Sequence, residues 1–379
     1  MPEPVYLDHA ATTPPRPEVQ AAMLRVLGER WGNPSSVHRW GRDARATLDD
    51  ARARLAAVIG ASPAEIVFTR GGTEADNLAV RGRARAEGAR AVAVSAIEHK
   101  AVLATADALA AEGVPVRAIV VDGDGLVEVD ALTEIARSDR PAVVSVMWAN
   151  NETGAIQPVE RIAALCADAG VAFHTDAVQA LGKVPVRMDA IPATLAAFSA
   201  HKLGGPRGTG ALFVRRGTKL YPLLHGGGQE RGLRSGTEDV AGAVGLALAA
   251  ELAESEREAE MARLATLRDR LQTGLCARVP GLRVNAAGAP RLPTILNVSA
   301  PGADAEMLLM ALDREGVAVS SGSACSSGAV EPSHVLTAMG LPAEVAGPSV
   351  RFSLARETTA EDIDRVLEVF PSVVERVRF

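Results

Sequence analysis

Lysine is rare in this sequence, which makes the search for a catalytic amine short. The chain has 379 residues, and its lysines are Lys100, Lys183, Lys202 and Lys219. Lys202 follows an apolar run and lies among small residues, where partial loss of hydration would lower the pKa of its amine and free it as a nucleophile. Lys219 lies beside two arginines, as a solvated surface charge does, and Lys183 follows a helical segment. Lys100 would point away from His99 if that segment is extended. Lys202 is therefore the predicted catalytic lysine.

Polar residues also follow the other apolar runs of the chain. In open α/β sheets ligands bind where the strands end, so these positions are candidate site residues. They are Thr73, Glu98, His99, Asn150, Asn151, Glu152, Asp176, Gln179, Ser199 and His201. Gly71 and Gly72 precede Thr73, and a glycine-rich turn into a helix leaves N–H groups free to bind an anion. Taken singly, each residue also has an ordinary explanation, as Asp176 has in capping a helix.

Taken together, these residues fit pyridoxal 5′-phosphate (PLP). This cofactor needs a lysine amine for its Schiff base, a carboxylate that keeps its ring nitrogen protonated, and an anion site for its phosphate. Lys202 and Asp176 would supply the first two, and His99 could lie on the face of the ring and move protons. The phosphate would be bound by Thr73, Ser199 and His201.

Metal and nucleotide sites have less support. His174 and Asp176 share one face of a predicted strand and could be two metal ligands, but no third ligand accompanies them, so we predict no metal. The chain has no GKS or GKT phosphate loop, and no GxGxxG motif follows a strand.

Alternating strands and helices must position these residues. Short apolar or β-branched runs begin at Glu65, Ala91, Pro115, Ala142, Val171, Ala193 and Gly210. Each of the middle runs is followed by a segment whose apolar residues have helical spacing. This pattern predicts an α/β fold with a mostly parallel sheet. A charged, alanine-rich helix from Ala241 to about Gly274 comes next, and the strands and last helix of a smaller α/β domain follow it. We predict a large cofactor-binding domain at 12–257 and a small domain formed by 1–11 and 258–379.

The composition is that of an ordinary globular protein. The chain is 47% hydrophobic, with a formal net charge of -6 and a pI near 5.8, which argues against nucleic acid as a partner. The N-terminus has no basic and apolar leader, and no apolar run approaches the ~18 residues of a membrane helix. We therefore expect a cytoplasmic protein with no membrane partner.

The three cysteines are Cys166, Cys276 and Cys325, too few and too far apart for a disulfide framework or a CxxC metal site. Cys166 and Cys276 lie in helical patterns, where we expect them to pack. Cys325 lies in the stretch SSGSACSSG, whereas a buried structural cysteine usually lies in an apolar segment. This setting predicts an exposed loop, although glycine and serine runs are more often plain linkers.

A series of motifs runs in order through nearly the whole chain. They are YLDHAATTP at Tyr6, NPSSVH at Asn33, FTRGGTEADN at Phe68, EHKAVL at Glu98, NNETG at Asn150, HTDAVQALGK at His174, SAHKLGGPRGTGAL at Ser199, HGGGQERGLRSGT at His225, SSGSACSSGAVEPSHVL at Ser320 and RFSL at Arg351. Together they resemble the cysteine desulfurases of the NifS/IscS type. That group belongs to the class V aminotransferase family and has the aspartate-aminotransferase fold, fold type I of the PLP enzymes.

The resemblance implies a role for each matching residue. Lys202 would be the Schiff-base lysine, Asp176 the ring-nitrogen partner, and His99 the acid and base stacked on the ring. Arg351, assisted by Asn33, would bind the substrate carboxylate, and its alternative role is a structural ion pair. The remaining cofactor contacts would be Gly72, Thr73, Asn151, Gln179, Ser199, His201 and Thr237, of which the last comes from the other subunit of a homodimer.

The implied reaction converts L-cysteine to L-alanine. Cys325, as a thiolate, would attack the substrate sulfur and keep it as a persulfide for transfer to a sulfur-acceptor protein, such as an iron–sulfur scaffold. The chain ends at Phe379, whereas housekeeping members carry a longer extension that docks the scaffold, so the acceptor stays open. Two alternatives also stay open. One is a selenocysteine lyase or another PLP-dependent lyase or aminotransferase of this fold, and the other is an inactive member that serves as a scaffold protein.

Overall fold

Three sheets organise the chain in the computed structural model, which describes residues 4–321 and 332–378. Their strands are β1 (Val5–Tyr6), β2 (Ile66–Thr69), β3 (Val92–Ser95), β4 (Val116–Ile119), β5 (Val143–Ser145), β6 (Ala172–Asp176), β7 (Leu195–Ser199), β8 (Gly210–Val214), β9 (Arg283–Val284), β10 (Ile295–Ser299), β11 (Val317–Ala318) and β12 (Ser349–Ser353). The largest sheet has seven strands in the order β2-β8-β7-β6-β5-β3-β4.

Helices connect most of these strands. They are α1 (Pro17–Glu29), α2 (Arg39–Val58), α3 (Gly72–Ala86), α4 (Lys100–Ala111), α5 (Val129–Ser138), α6 (Val159–Asp168), α7 (Val240–Arg278), α8 (Ala305–Arg314), α9 (His334–Ala338), α10 (Ala343–Ala346) and α11 (Ala360–Val377). The predicted connecting helix is α7, which is 39 residues long.

The large sheet is parallel apart from the pairings of β8, which runs antiparallel to β2 and to β7. Every residue of β5, β6 and β7 is buried, because helices cover both faces of the sheet and leave no polar side for the strands to show. The predicted α/β fold with a mostly parallel sheet is confirmed.

The direction of the strands decides where the polar residues meet. The strands β3, β5, β6 and β7 are parallel, so their carboxyl ends share one edge of the sheet. The chain leaves β7 through one turn of 3-10 helix, Ala200–Lys202, which keeps Lys202 at that edge.

A second hydrophobic core lies apart from the core of the large sheet. It packs α8, α11 and the C-terminal half of α7 against the antiparallel strands β10 and β12 and includes Leu271, Phe352 and Phe370. The first core takes Leu246 from the N-terminal half of α7, so this helix contributes to both. The domain limits at 12–257 and 258–379 stay a prediction.

The two cysteines in the described part of the chain have different surroundings. Cys166 on α6 is buried in the first core, as expected, whereas Cys276 on α7 is exposed, so the expectation that it packs is wrong. The helical pattern around Cys276 was read correctly, but it did not show which face of α7 turns outward. No helix among the described residues is long and apolar enough to cross a membrane.

Candidate active site

A cavity of about 430 Å³ lies at the carboxyl edge of the large sheet. Its volume falls in the range of ~300–1,000 Å³ that small-molecule sites occupy. The N-terminus of α3 borders it, together with the segment before α1 and the strand β12. Among the predicted site residues, those that line it are Gly72, Thr73, His99, Asn151, Glu152, Asp176, Gln179, Ser199, His201, Lys202 and Arg351.

Two candidates from the strand ends, Glu98 and Asn150, are not among the lining, and neither are three residues to which the resemblance gave a role. Asn33 is exposed, and its side-chain oxygen accepts a hydrogen bond from the N–H of Ser35 at 2.9 Å. Thr237 is exposed in a loop tied to both sides of the α3 N-terminus by the ion pairs Arg234–Glu74 and Arg70–Asp239. Cys325 lies outside the described residues.

Lys202 points into the cavity and is held by backbone carbonyls. Its Nζ donates to the carbonyl oxygens of Ala10 and Ala11, both at 2.6 Å. Burial lowers the pKa of Lys202 to about 8, and the positive charge of Arg351 adds to this, while Asp176 opposes it. The amine is thus much closer to its neutral, nucleophilic form at physiological pH than an exposed lysine would be.

Asp176 ends β6 and faces the same space. Its Oδ1 accepts a hydrogen bond from the N–H of Val178 at 2.9 Å. Burial raises the pKa of the Asp176 carboxyl, while the charges of His99 and Lys202 pull it back down. The Asp176 carboxylate is therefore stabilised by the positive charge of Lys202. A protonated ring nitrogen could take over this stabilising role.

His99 is the N-cap of α4, and its Nδ1 accepts a hydrogen bond from the N–H of Ala101 at 3.0 Å. That bond leaves Nε2 to carry the proton of the neutral ring. Loss of hydration lowers the pKa of His99, although its ring is open to the cavity. Because α4 begins directly after it, Lys100 is helical and lines the cavity, so the expectation of an extended segment there is wrong.

The start of α3 forms an anion cradle. Gly71 has a φ of 128°, a conformation that favours glycine, and no side chain in the described part of the protein caps the first turn of the helix. A Cβ on Gly72 would lie 2.8 Å from a methyl of Val178, so this position has no room for a side chain. Opposite it, His201 contacts Thr12 at 3.2 Å, and burial lowers its pKa to about 4, which keeps the ring neutral.

Arg351 reaches the cavity from β12 and is already paired. It donates to the carboxylate of Asp8 at 2.6 Å and to the carbonyl oxygen of Asn151 at 2.9 Å. Its Nε has no hydrogen-bond partner among the described residues. Both roles foreseen for Arg351, the ion pair and carboxylate binding, thus remain chemically available, since the guanidinium has further donors.

Lys183 does not line the cavity, but it contacts one of the lining residues, Gln179, and no role was predicted for it. Its Nζ donates to Oε1 of Gln179 at 2.6 Å, and Nε2 of Gln179 donates to the carbonyl oxygen of Ala10 at 3.0 Å, the same oxygen that Lys202 contacts. Burial lowers the pKa of Lys183 to about 7, assisted by the charge of Lys202. The four-residue spacing of Gln179 and Lys183 was the available signal, since such residues meet on one side of a helical turn.

Asp76 on α3 is a second residue that the sequence did not single out. Ligand atoms of Asp76, His99 and Asp176 lie within 4.8 Å of one another. This cluster does not contain His174, so it differs from the pair of His174 and Asp176 that the sequence suggested, and the expectation of no metal stays a prediction.

Comparison with known proteins agrees with this geometry. The family model described as aminotransferase class-V matches residues 5–366. A cysteine desulfurase of Cereibacter sphaeroides is 49% identical over 99% of this chain and 97% of its own length. A cysteine desulfurase IscS of Dictyoglomus turgidum is 44% identical over 99% and 95%.

A solved structure called a NifS-like protein superposes with a TM-score of 0.92, at 36% identity, and covers 99% of this chain and 100% of its own. Family model, relatives and structure all span nearly the full chain. The chain therefore belongs to the aminotransferase class-V family and, within it, to the cysteine desulfurases of the NifS/IscS type.

Proposed function

We propose that this protein is a PLP-dependent enzyme that converts L-cysteine to L-alanine and passes the sulfur on through Cys325. The observation that carries the proposal is that Lys202, Asp176 and the uncapped N-terminus of α3 meet in one cavity. An amine, a carboxylate and an anion cradle are the three groups that PLP requires, and relatives of this chain are cysteine desulfurases.

The lining residues fit PLP in charge as well as in position. The N–H groups of α3, with Thr73, Ser199 and neutral His201, would bind the phosphate. Asp176 would hold the ring nitrogen in its protonated form. Asn151 and Gln179 would contact the oxygen side of the ring. Bound PLP would supply an electron-withdrawing ring that stabilises negative charge on the substrate.

Lys202 and His99 would handle the protons. The lowered pKa of Lys202 makes its amine available both to bind the cofactor covalently and, once released by substrate, to accept a proton from the substrate α carbon. His99 carries its proton on Nε2, because Nδ1 is engaged by the N–H of Ala101. Its open ring can therefore donate a proton toward the cavity.

Arg351 would orient the substrate through its carboxylate. The bonds to Asp8 and to the carbonyl of Asn151 fix the plane of the guanidinium, and its remaining N–H groups can bind a carboxylate in bidentate fashion. Asn33 was predicted to assist. It is exposed and bonded within its own loop, so this role requires that loop to approach the cavity.

Cys325 would be the sulfur acceptor in the first half of the reaction. Its thiolate attacks the substrate sulfur, the bond between that sulfur and the β carbon breaks, and the β carbon keeps the electron pair and takes a proton. The products are alanine and a persulfide on Cys325. Ser320 and His334 line the cavity on either side of residues 322–331, and Cys325 lies four residues from Ser321, a reach of at most ~14 Å.

A homodimer completes the proposal. Thr237 was predicted to contact the phosphate of the other subunit, and it does not line the cavity of its own chain. An apolar surface with Leu24, Leu27 and the stacked pair Trp31 and Trp40 is also exposed. Exposed apolar surface of this kind is typical of an interface. The persulfide would then pass to a sulfur-acceptor protein, such as an iron–sulfur scaffold.

The deciding experiment supplies purified protein with L-cysteine and a reductant and measures sulfide and alanine together. We expect equal amounts of both, and almost none from Cys325→Ser. Cys276→Ser is the matched control, because it removes an exposed thiol that does not line the cavity. Pyruvate in place of alanine would indicate plain elimination. Parental activity of Cys325→Ser would favour a lyase, and no turnover by the parent would favour an inactive scaffold.

A further inference from the structure

Asp76 lies in the wall of the cavity as a buried carboxyl group without hydrogen-bond support. Its side chain is 1% exposed, and its Oδ1 makes no hydrogen bond to any described residue. The nearest polar partner is Nε2 of His174, 3.5 Å away, which is itself buried and without a hydrogen bond among the described residues. Two unpaired polar atoms that face each other in a protein interior indicate a proton between them.

A chain of hydrogen bonds continues behind His174. Its Nδ1 lies 2.8 Å from Oγ of Ser145, and that hydroxyl lies 3.3 Å from Oε2 of Glu98. Glu98 also accepts hydrogen bonds from Oγ of Ser95 and from the N–H of Met147, both at 2.6 Å. Glu98 thus has three donors directed at its carboxylate.

The assignment of protons that keeps all three donors on Glu98 also satisfies the rest of the chain. If Ser145 donates to Glu98, then Nδ1 of His174 must carry a proton and donate it to Ser145. Nε2 of His174 is then an acceptor, and only a protonated Asp76 can donate to it. In this arrangement Glu98 is the anion supported by three donors, and Asp76 is neutral.

The neighbouring charges favour the same assignment. Three buried carboxyl groups, on Asp76, Glu98 and Asp176, lie close together, and they cannot all be ionised without a large desolvation cost. Asp176 has the N–H of Val178 and the cation Lys202, whereas Asp76 has no donor of its own. Burial raises the pKa of Asp76 well above its usual value, and the charges of Asp176 and Glu98 add to this.

We propose that Asp76 is a positioning residue that holds a proton toward His174, so that of the two neighbouring aspartates in the cavity wall only Asp176 carries a negative charge. A neutral Asp76 does not compete with Asp176 for a cationic partner. It also fixes the ring of His174, which lies two residues from Asp176 on the same strand, and so fixes the position of that carboxylate. The role of Asp176 toward a ring nitrogen rests on the proposed function, but the proton on Asp76 does not.

The first test is infrared difference spectroscopy between the parent and Asp76→Asn, with and without PLP. We expect the variant to lose a band in the carbonyl-stretch region of protonated carboxylic acids at neutral pH. Loss of a carboxylate band instead would overturn the proposal. Because the band is measured without cofactor too, a protein that failed to bind PLP would count against the proposed function and leave this result standing.

The second test compares PLP dissociation constants of Asp76→Asn and Asp76→Ala, with circular dichroism to verify folding. Asparagine resembles a protonated aspartate in shape and can donate to His174, so we expect its constant to stay within about threefold of the parent. Alanine leaves Nε2 of His174 unpaired, so we expect PLP binding to weaken about tenfold or more. Equal weakening in both variants would mean that the site needs the charge of Asp76, and the proposal would be wrong.

Discussion

Arg351 and Asp8 form an ion pair at 2.6 Å on the wall of the cavity, although they lie at opposite ends of the chain. The arginine side chain is 5% exposed and the aspartate side chain 22% exposed, so the pair is mostly shielded from water. Removing either partner would leave a poorly hydrated charge behind. The pair holds the guanidinium in one orientation before substrate arrives.

Arg351→Lys should raise the KM for L-cysteine by about tenfold or more, because an ammonium group cannot bind a carboxylate in bidentate fashion. Asp8→Asn should raise KM by only a few fold, since the guanidinium remains but loses its orienting partner. Steady-state kinetics measures both, and the absorbance of bound PLP should be present in each. An unchanged KM in Arg351→Lys would assign Arg351 to a purely structural ion pair.

Lys202→Ala should abolish covalent attachment of PLP. The purified variant should lack the yellow absorbance and give no borohydride-fixed peptide by mass spectrometry. Lys183→Met is the matched control, because it removes the neighbouring buried amine, which bonds to Gln179 and has no bond to the carbonyl of Ala10. It should keep the attachment. A labelled peptide that contains Lys183 would show that the two lysines have been assigned the wrong way round.

The rate at which the apoprotein reattaches PLP should rise with pH around a midpoint near 8, because burial lowers the pKa of Lys202 to about 8 from 10.5. Below the midpoint the amine is protonated and cannot attack, and above it the neutral form dominates. Arg351→Met should move the midpoint upward, because it removes a positive charge that lowers this pKa. Absorbance against pH follows the reaction. A midpoint near 10.5 would contradict the prediction.

Thr237→Val should weaken PLP binding about tenfold, the effect of losing one hydrogen bond to a charged group. Mixed dimers with Lys202→Ala separate the two possible locations of this contact. If Thr237 serves the partner's site, the mixed dimer has one site with both residues intact, and half of its sites should recover parental affinity. No recovery, or a monomer by light scattering, would argue that Thr237 acts within its own chain.

Iodoacetamide should label Cys276 in the native protein and leave Cys166 unmodified until the chain is unfolded. Burial raises the pKa of Cys166 to about 12, so almost none of it is thiolate at neutral pH, whereas Cys276 is exposed. Peptide mass spectrometry distinguishes the two sites. Equal labelling of both in the native state would contradict the burial of Cys166.

Most strands of the large sheet could be predicted because they are short apolar runs in which every residue is buried. The strand β4 is the exception, since Arg117 and Ala118 are exposed. Polar residues that follow such runs, such as Asp176 and Lys202, then meet at one edge by topology alone. The start of α4 was not predicted, because His99 caps it and histidine is not a usual helix cap.

Other contacts of the site depend on chain folding over long distances. Asp8 meets Arg351 across 343 residues, and Asp76 on helix α3 reaches His174 on strand β6. No local sequence pattern predicts such pairs. Lys183 was set aside because it follows a helical segment, yet that segment turns it back toward Gln179.

The length and stiffness of helix α7 affect the geometry of the active site. Its 39 residues span about 58 Å at ~1.5 Å per residue, with one half fixed in each hydrophobic core. Ala200 and Leu203, close to Lys202, belong to the first core, and Val350 and Phe352, on either side of Arg351, belong to the second. The helix therefore helps to set the separation between the reacting amine and the arginine that would bind the substrate. Glycine substitutions in the exposed middle of α7, such as Glu258→Gly, would make the helix more flexible and would alter substrate affinity from a position outside the cavity.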